Sequence, residues 1–105
     1  MNTGMTFRAI SDPTRRVILD LLRDEGPLRA GDLAAKFGQI SRPAVSKHVR
    51  VLREAGLLVQ QERGRERWYR LEASALEEVQ QWVASYENMW QDKLKDLKVL
   101  VEGEG

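Results

Sequence analysis

The amino-acid sequence predicts a mainly α-helical fold that carries one small β-hairpin. Apolar residues recur at helical spacing over 13–25, 42–55 and 74–101. Between the last two stretches, a strand-like pattern lies on both sides of a glycine turn. A length of 105 residues is typical of one domain. We therefore predict a single domain over 1–105, with a body at about 6–71 and a long terminal helix at about 74–101.

The first two elements are expected to be helices. Residues 1–5 suggest a frayed start, and a short helix is predicted over 6–10. Asp12 or Ser11 can cap the next helix. Pro13 suits the first helical position because its missing N–H would be unpaired there in any residue.

Short connections follow the second helix. Glycine and proline at 26–27 end it. An extended link is expected at 28–29, and a short helix over 30–37. A tight turn at 38–40 leads into the next helix, so these two helices match a helix-turn-helix layout.

The second helix of this pair has well-marked ends. Ser41 can cap it, Pro43 lies in its first turn, and Gly56 ends it. Its apolar residues form a stripe that we expect to be buried: Val45, Val49 and Leu52.

The face opposite this stripe is basic. At 100° per residue it carries Arg42, Ser46, Arg50 and Arg53, with Lys47 beside them. Arginine can pair with guanine edges, and serine can bond to a base or a phosphate. A solvated basic helix is the alternative interpretation. From this helix we predict DNA contacts by Ser41, Arg42, Ser46, Lys47 and Arg50.

A hairpin is predicted directly after this helix. Strands are expected over 57–63 and 66–71, with the turn between them. Its tip is rich in arginine, which suits phosphates or a narrow minor groove. The alternative is a surface hairpin kept soluble by charge. We predict that this hairpin contacts DNA through Arg63, Arg65 and Arg67.

The charge distribution fits a basic body and an acidic tail. Residues 1–71 hold 14 Lys and Arg against 8 Asp and Glu, whereas 72–105 hold 3 against 8. A basic surface is compatible with nucleic acid as a partner.

The terminal helix carries a long apolar stripe. Ser74 and Glu77 fit a capping box at its start. Lys93 interrupts the stripe, where its stem can pack while its ammonium reaches water or a partner carboxylate. The stripe is too long for so small a body to cover, which favours self-association. From this helix the predicted interface residues are Val79, Trp82, Tyr86, Met89, Trp90, Lys93 and Leu97.

Three of these residues are aromatic and lie four residues apart: Trp82, Tyr86 and Trp90. Interface packing is the simpler interpretation. The alternative is an aromatic pocket for an apolar, unidentified inducer.

Several functional classes are excluded or disfavoured. The chain has no cysteine and one histidine, which excludes disulfides, thiolate metal sites and histidine clusters. It shows no nucleophile–base set and no phosphate loop, so we predict no enzyme, no catalytic residue and no cofactor. No apolar run suits a membrane helix, and no secretory signal is present, so a cytoplasmic protein without a membrane partner is expected.

Three runs resemble the ArsR/SmtB family of winged-helix repressors. They are residues 10–19, 41–57 and 64–71, in the family's order, and the resemblance covers about residues 7–100. It implies a winged helix-turn-helix fold with a long dimerisation helix, and a homodimeric repressor on an inverted-repeat operator in double-stranded DNA. It also implies that the first helix joins the dimer interface, which adds Phe7.

Metal-sensing members of that family bind the metal through cysteine pairs, or through ligand sets of His, Asp and Glu on the last helix. Here the last helix offers only carboxylates: Glu77, Glu78, Glu87 and Asp92. The resemblance is therefore closest to the non-metal branch, which includes autorepressors. A carboxylate-site metal sensor stays an alternative, as does a protein-interaction module on a winged-helix scaffold. His48 is interpreted as a half-buried packing residue, the alternative being a phosphate contact or a pH-sensitive position.

Overall fold

The computed structural model describes residues 3–103 and confirms the predicted mainly α fold with a β-hairpin and a long terminal helix. A short 3₁₀ helix, Ala73–Leu76, precedes the last α-helix. The other elements, in chain order, are α1 (Thr3–Ile10), α2 (Pro13–Glu25), β1 (Leu28–Arg29), α3 (Ala30–Ala35), α4 (Arg42–Glu54), β2 (Leu58–Arg63), β3 (Glu66–Leu71) and α5 (Glu77–Gly103). Among the described residues, no helix is both long and apolar enough to span a membrane.

The predicted helix caps of α2 and α4 are present. The Asp12 carboxylate accepts from the backbone N–H of Thr14 at 2.8 Å and of Arg15 at 3.2 Å. Burial raises the pKa of Asp12, but these backbone donors outweigh it, so the net effect is a lowered pKa. The Ser41 hydroxyl accepts from the Ala44 N–H at 3.2 Å and caps α4.

The end of α4 is set by Gly56. Its φ is 78°, a conformation that side chains with a Cβ rarely adopt. The Gly56 N–H donates to the Arg53 carbonyl, and the Leu57 N–H donates to the Leu52 carbonyl, both at 3.0 Å. The chain therefore leaves α4 in a fixed direction, toward the hairpin.

The sheet has three antiparallel strands in the order β1-β3-β2. In the hairpin, Leu58 faces Leu71 and Arg63 faces Glu66. The segment predicted as an extended link is a third strand, since Arg29 pairs with Trp68. Two residues are too short to show a periodic pattern, and their partner lies far along the chain, so the sequence did not reveal this pairing.

The core lies where α2, α3, α4 and the sheet meet. The predicted stripe of α4 is buried in full, at 4% exposure or less. Burial of such apolar side chains is the main stabilising contribution to the fold. The other large buried side chains are Ile18, Leu19, Leu22, Leu33, Leu57, Leu58 and Tyr69.

Two local predictions were wrong. Residues 3–5 belong to α1 rather than to a frayed start, because α1 packs on α2 and α4 and Thr6 is buried. The capping box of Ser74 with Glu77 is not formed. Instead, the Glu72 carboxylate accepts from the Ser74 hydroxyl at 2.9 Å, and the chain makes a 3₁₀ helix before α5 begins. A charged acceptor binds these donors more strongly than a hydroxyl would.

Candidate nucleic-acid interface

The outer face of α4 presents the residues that the sequence singled out. Because the apolar stripe is buried, the opposite side of the helix faces solvent. Arg42, Lys47 and Arg50 have no hydrogen bond or ion pair with any residue of the described range 3–103. Such side chains can bind an external anion without first breaking an internal contact. All five predicted residues are exposed: Ser41, Arg42, Ser46, Lys47 and Arg50.

A groove of about 340 Å³ lies between α4 and the hairpin. No carboxylate lines it, so its electrostatic potential is dominated by cations. Its charged lining comes from both elements: Lys47, Arg50 and Arg53 of α4, and Arg67 of β3. The arrangement favours a polyanion that contacts helix and hairpin together.

The three hairpin arginines do not form one cluster. Side chains alternate between the faces of a strand, so Arg63 and Arg67 lie on opposite faces. Arg67 lines the groove and pairs with Glu62 at 3.2 Å. Arg63 stacks over the Trp68 ring, with its guanidinium carbon 4.7 Å from the ring centroid. Arg65 lies in the turn and has no partner among residues 3–103.

A polar network that the sequence did not predict joins α4 to the hairpin. The Arg53 guanidinium donates to the Gln60 side-chain oxygen. The Gln60 amide donates to Glu62 at 3.2 Å, and Glu62 also accepts from Arg67. Hydrogen bonding to Glu62 raises the pKa of Arg67. Gln60 and Glu62 are alternate residues of β2 and lie on one face of the strand. Their contacts fix the hairpin relative to α4. The alternation of the strand could have suggested this shared role from the sequence.

A second network of hydrogen bonds joins α1, α2 and α4. Arg15, only 14% exposed in its side chain, donates to the Ala9 carbonyl at 2.7 Å and to the Arg8 carbonyl at 3.1 Å. Its Nη1 atom lies 3.3 Å from His48 Nδ1. An arginine has no acceptor, so this contact is a hydrogen bond only in the tautomer whose Nδ1 carries no proton. His48 is half-buried, as expected of a packing residue, and also links α4 to the end of α1.

The apolar stripe of α5 is exposed in the single chain. Phe7 of α1 packs edge-to-face on Trp82 with ring centroids 5.4 Å apart, and Trp82 contacts Tyr86 in the same way at 5.3 Å. Trp82 and Trp90 are still 54% and 55% exposed. Val79 is half-buried, and the other predicted interface residues of α5 are exposed: Met89, Lys93 and Leu97.

Within the described part of one chain, no three His, Cys, Asp or Glu residues lie close enough together to hold a metal ion.

Comparisons with known proteins agree with this geometry. A family described as a helix-turn-helix domain matches residues 10–61. The chain is 40% identical over 82 residues to the transcriptional repressor SdpR of Bacillus subtilis, covering 78% of this chain and 89% of SdpR. It is 34% identical over 99 residues to the HTH-type transcriptional regulator Rv2034 of Mycobacterium tuberculosis, covering 94% of this chain and 88% of Rv2034.

The fold is also similar to solved structures. A crystal structure of an ArsR family transcriptional regulator superposes with a TM-score of 0.73 at 31% identity. The match covers 84% of this chain and 89% of that chain. Sequence and structure therefore give concordant relatives, each named as a transcriptional regulator.

Proposed function

The chain belongs to the ArsR family of DNA-binding transcriptional regulators, and from this premise we propose that it is a homodimeric repressor that needs no metal ion. Its relatives are regulators rather than enzymes, which confirms the prediction that it is not an enzyme. The relative named a transcriptional repressor supports repression as the direction of control. As a DNA-binding regulator it would act in the cytoplasm as a single domain.

The observation that carries the DNA interface is the basic face of α4, where Arg42, Lys47 and Arg50 have no hydrogen bond or ion pair within residues 3–103. The first half of a recognition helix usually reads base edges. We assign Arg42, Ser46, Lys47 and Arg50 to the major groove. The Ser41 oxygen already accepts the Ala44 N–H, so its hydroxyl hydrogen would serve a phosphate or a base.

The hairpin would contact the DNA backbone or minor groove through its arginines. Arg65 is the leading residue because it has no partner in the part of the chain that the structure describes. Arg67 would act from inside the groove, beside α4. Arg63 would have to leave Trp68 or bind while stacked on it.

A homodimer is supported by the exposed stripe of α5. Leu94, Leu97 and Leu100 are each 58% exposed or more. An apolar surface of this length is unusual on a monomer. A two-fold axis through the stripe would present two α4 helices to successive major grooves about 34 Å apart, as an inverted repeat requires.

Metal independence is supported by the side chains at hand. Thiolate and imidazole are the preferred ligands of borderline and soft metals. The chain has no cysteine, and its one histidine lies on α4 in contact with Arg15. If a small molecule controls the protein, we propose that it is apolar and binds beside Trp82, Tyr86 and Trp90.

The proposal is tested by fluorescence anisotropy with DNA from upstream of the protein's own gene. A scrambled duplex of equal length is the control, and a chelator is present throughout. We expect tight, salt-sensitive binding to the upstream duplex alone. Weak and equal binding to both duplexes would contradict the proposal and favour a protein-interaction module.

A further inference from the structure

Two arginines on opposite faces of the hairpin are restrained in different ways. The Glu62 carboxylate accepts from the Arg67 guanidinium at 3.2 Å, so a negative charge offsets that cation. Arg63 instead stacks over the Trp68 ring, and it has no ion pair with any carboxylate of residues 3–103. An aromatic ring attracts a cation through its quadrupole but carries no net charge. Arg63 is therefore restrained and still keeps its full positive charge.

The register of the hairpin would ordinarily give Arg63 a carboxylate. Glu66 lies directly opposite Arg63 across the two strands, and opposite charges at such positions attract. However, the Glu66 carboxylate accepts from Arg29 of β1 at 2.8 Å. Arg29 also donates to Asp32 at 2.8 Å, which fixes its guanidinium at that edge of the sheet. Arg29 thus binds Glu66 and leaves Arg63 without a counter-charge.

The ring beneath Arg63 is held in place by its surroundings. Trp68 belongs to β3, the middle strand of the sheet, and is half-buried. Its Nε1 atom is enclosed and has no hydrogen-bond partner among the described residues, so packing rather than a hydrogen bond places the ring. Gln61 lies opposite Trp68 and accepts from Arg63 Nη2 at 3.4 Å. Contacts from both strands therefore restrain the guanidinium above the ring.

We propose that Trp68 is a positioning residue for DNA binding, and that Arg63 binds the negative backbone or minor groove of DNA while it stays stacked on Trp68. The inference rests on the proposed function and specifies how one arginine of the hairpin acts. A flexible arginine loses rotamer freedom when it binds. A side chain that is ordered beforehand loses less, so the stacked Arg63 would bind more tightly than a mobile one.

The geometry of a stacked guanidinium favours binding in place. Its N–H groups lie in the plane of the guanidinium and point away from its edges, so a ring beneath one face does not block them. Arg63 could therefore donate to DNA without leaving Trp68. If Arg63 instead had to leave the ring, Trp68 would compete with DNA, and removing the ring would strengthen binding. The two possibilities predict effects of opposite sign.

A double-mutant cycle tests the role of Trp68. Fluorescence anisotropy with the upstream duplex gives the Kd of Arg63→Ala, Trp68→Ile and the double variant. Isoleucine suits a strand but has no ring face. We expect Trp68→Ile to weaken binding by about two- to fivefold per bound chain, the range that an exposed cation–π contact represents. The double variant should bind no more weakly than Arg63→Ala, because Trp68 acts through Arg63. Trp68→Phe, which keeps an aromatic face, should recover most of the loss.

Arg70 offers a matched control on the same face of β3. Arg70→Ala also removes one positive charge, but the Arg70 guanidinium lies 3.6 Å from Glu72. Its effect on the Kd should add to that of Trp68→Ile, whereas the effect of Arg63→Ala should not. Tight DNA binding by the wild type together with additive effects of Arg63→Ala and Trp68→Ile would overturn the role of Trp68 alone. Tighter binding by Trp68→Ile would also overturn it.

A measurement on the unaltered protein covers the case in which the Trp68 variants do not fold. Protons above an indole face are shifted upfield by its ring current, so NMR of the labelled wild type reports the stacking. Arg63→Lys assigns the signals. We expect the Arg63 side-chain protons to be shifted upfield in the free protein and to stay so in the DNA complex. A return to ordinary shifts in the complex would overturn binding in the stacked state. A wild type that binds no DNA would overturn the proposed function as well.

Discussion

The arginines of the candidate interface differ in whether another residue of the chain contacts their guanidinium group. Arg50 lies on the solvent face of α4, and Arg65 lies in the hairpin turn, and neither has an internal partner within residues 3–103. Arg63 and Arg67, by contrast, are held by Trp68 and Glu62. We therefore assign sequence reading to α4 and general attraction to the turn.

Substitutions of Arg50 and of Arg65 should separate these two roles. Arg50→Ala should weaken binding to the preferred duplex by about 1–3 kcal/mol and relax its sequence preference. Arg65→Ala should weaken binding to all duplexes and reduce the salt slope by about 1. Anisotropy over a salt series on two duplexes measures both quantities, with Lys95→Ala as a control far from the interface. Equal effects of both changes on every duplex would contradict this division.

We also expect Arg15 to contribute to the stability of the fold through its contacts with α1 and α4. Arg15→Ala removes the donor from two carbonyls of α1 and from His48, and should lower the free energy of unfolding by about 1–3 kcal/mol. Arg15→Lys should also lower the free energy of unfolding, because an ammonium cannot reproduce the planar fork of the guanidinium. Urea denaturation measures the change.

The control for Arg15 is Arg23→Ala. Among residues 3–103, Arg23 pairs only with the exposed carboxylates of Asp20 and Asp24, so its loss should leave the free energy of unfolding nearly unchanged. Similar losses in the two variants would show that Arg15 does not join the helices.

At the scale of the elements, the conformation at the end of α4 contributes to the stability of the protein. Gly56 has a φ of 78°, so Gly56→Ala should destabilise the protein by about 1–2 kcal/mol. Gly38, in the turn before α4, has ordinary backbone, and a Cβ there meets nothing within 4 Å. Gly38→Ala should therefore be neutral or slightly stabilising. Thermal unfolding of both variants checks the contrast, and equal destabilisation would contradict it.

The elements also show why sequence predicted some features and not others. The stripe and cap of α4 depend on neighbours within a few residues, so periodicity was sufficient to find them. The pairing of Arg29 with Trp68 and the contact of Arg15 with His48 join distant positions, and no local pattern encodes them. The separation of Arg63 from Arg67 required the register of the hairpin, because alternation places them on opposite faces.

The whole molecule combines a basic body, which we propose faces DNA, with an exposed apolar helix. Sequence predicted that the terminal helix was too apolar for the body to cover, and Trp90 and Leu97 are indeed more than half exposed. In the proposed dimer, the residues that cover this stripe belong to a second molecule. The structure of one chain therefore does not show them. The proposed dimer would connect both halves, since its geometry sets the distance between the two α4 helices.

The number of chains bound to one operator tests the account most directly. Sedimentation of a labelled duplex, in a chelator, compares a site with both half-sites to a site with one. We predict two chains on the full site and much weaker binding to the half-site. One chain bound with equal affinity to both duplexes would contradict the homodimeric, metal-independent regulator proposed here.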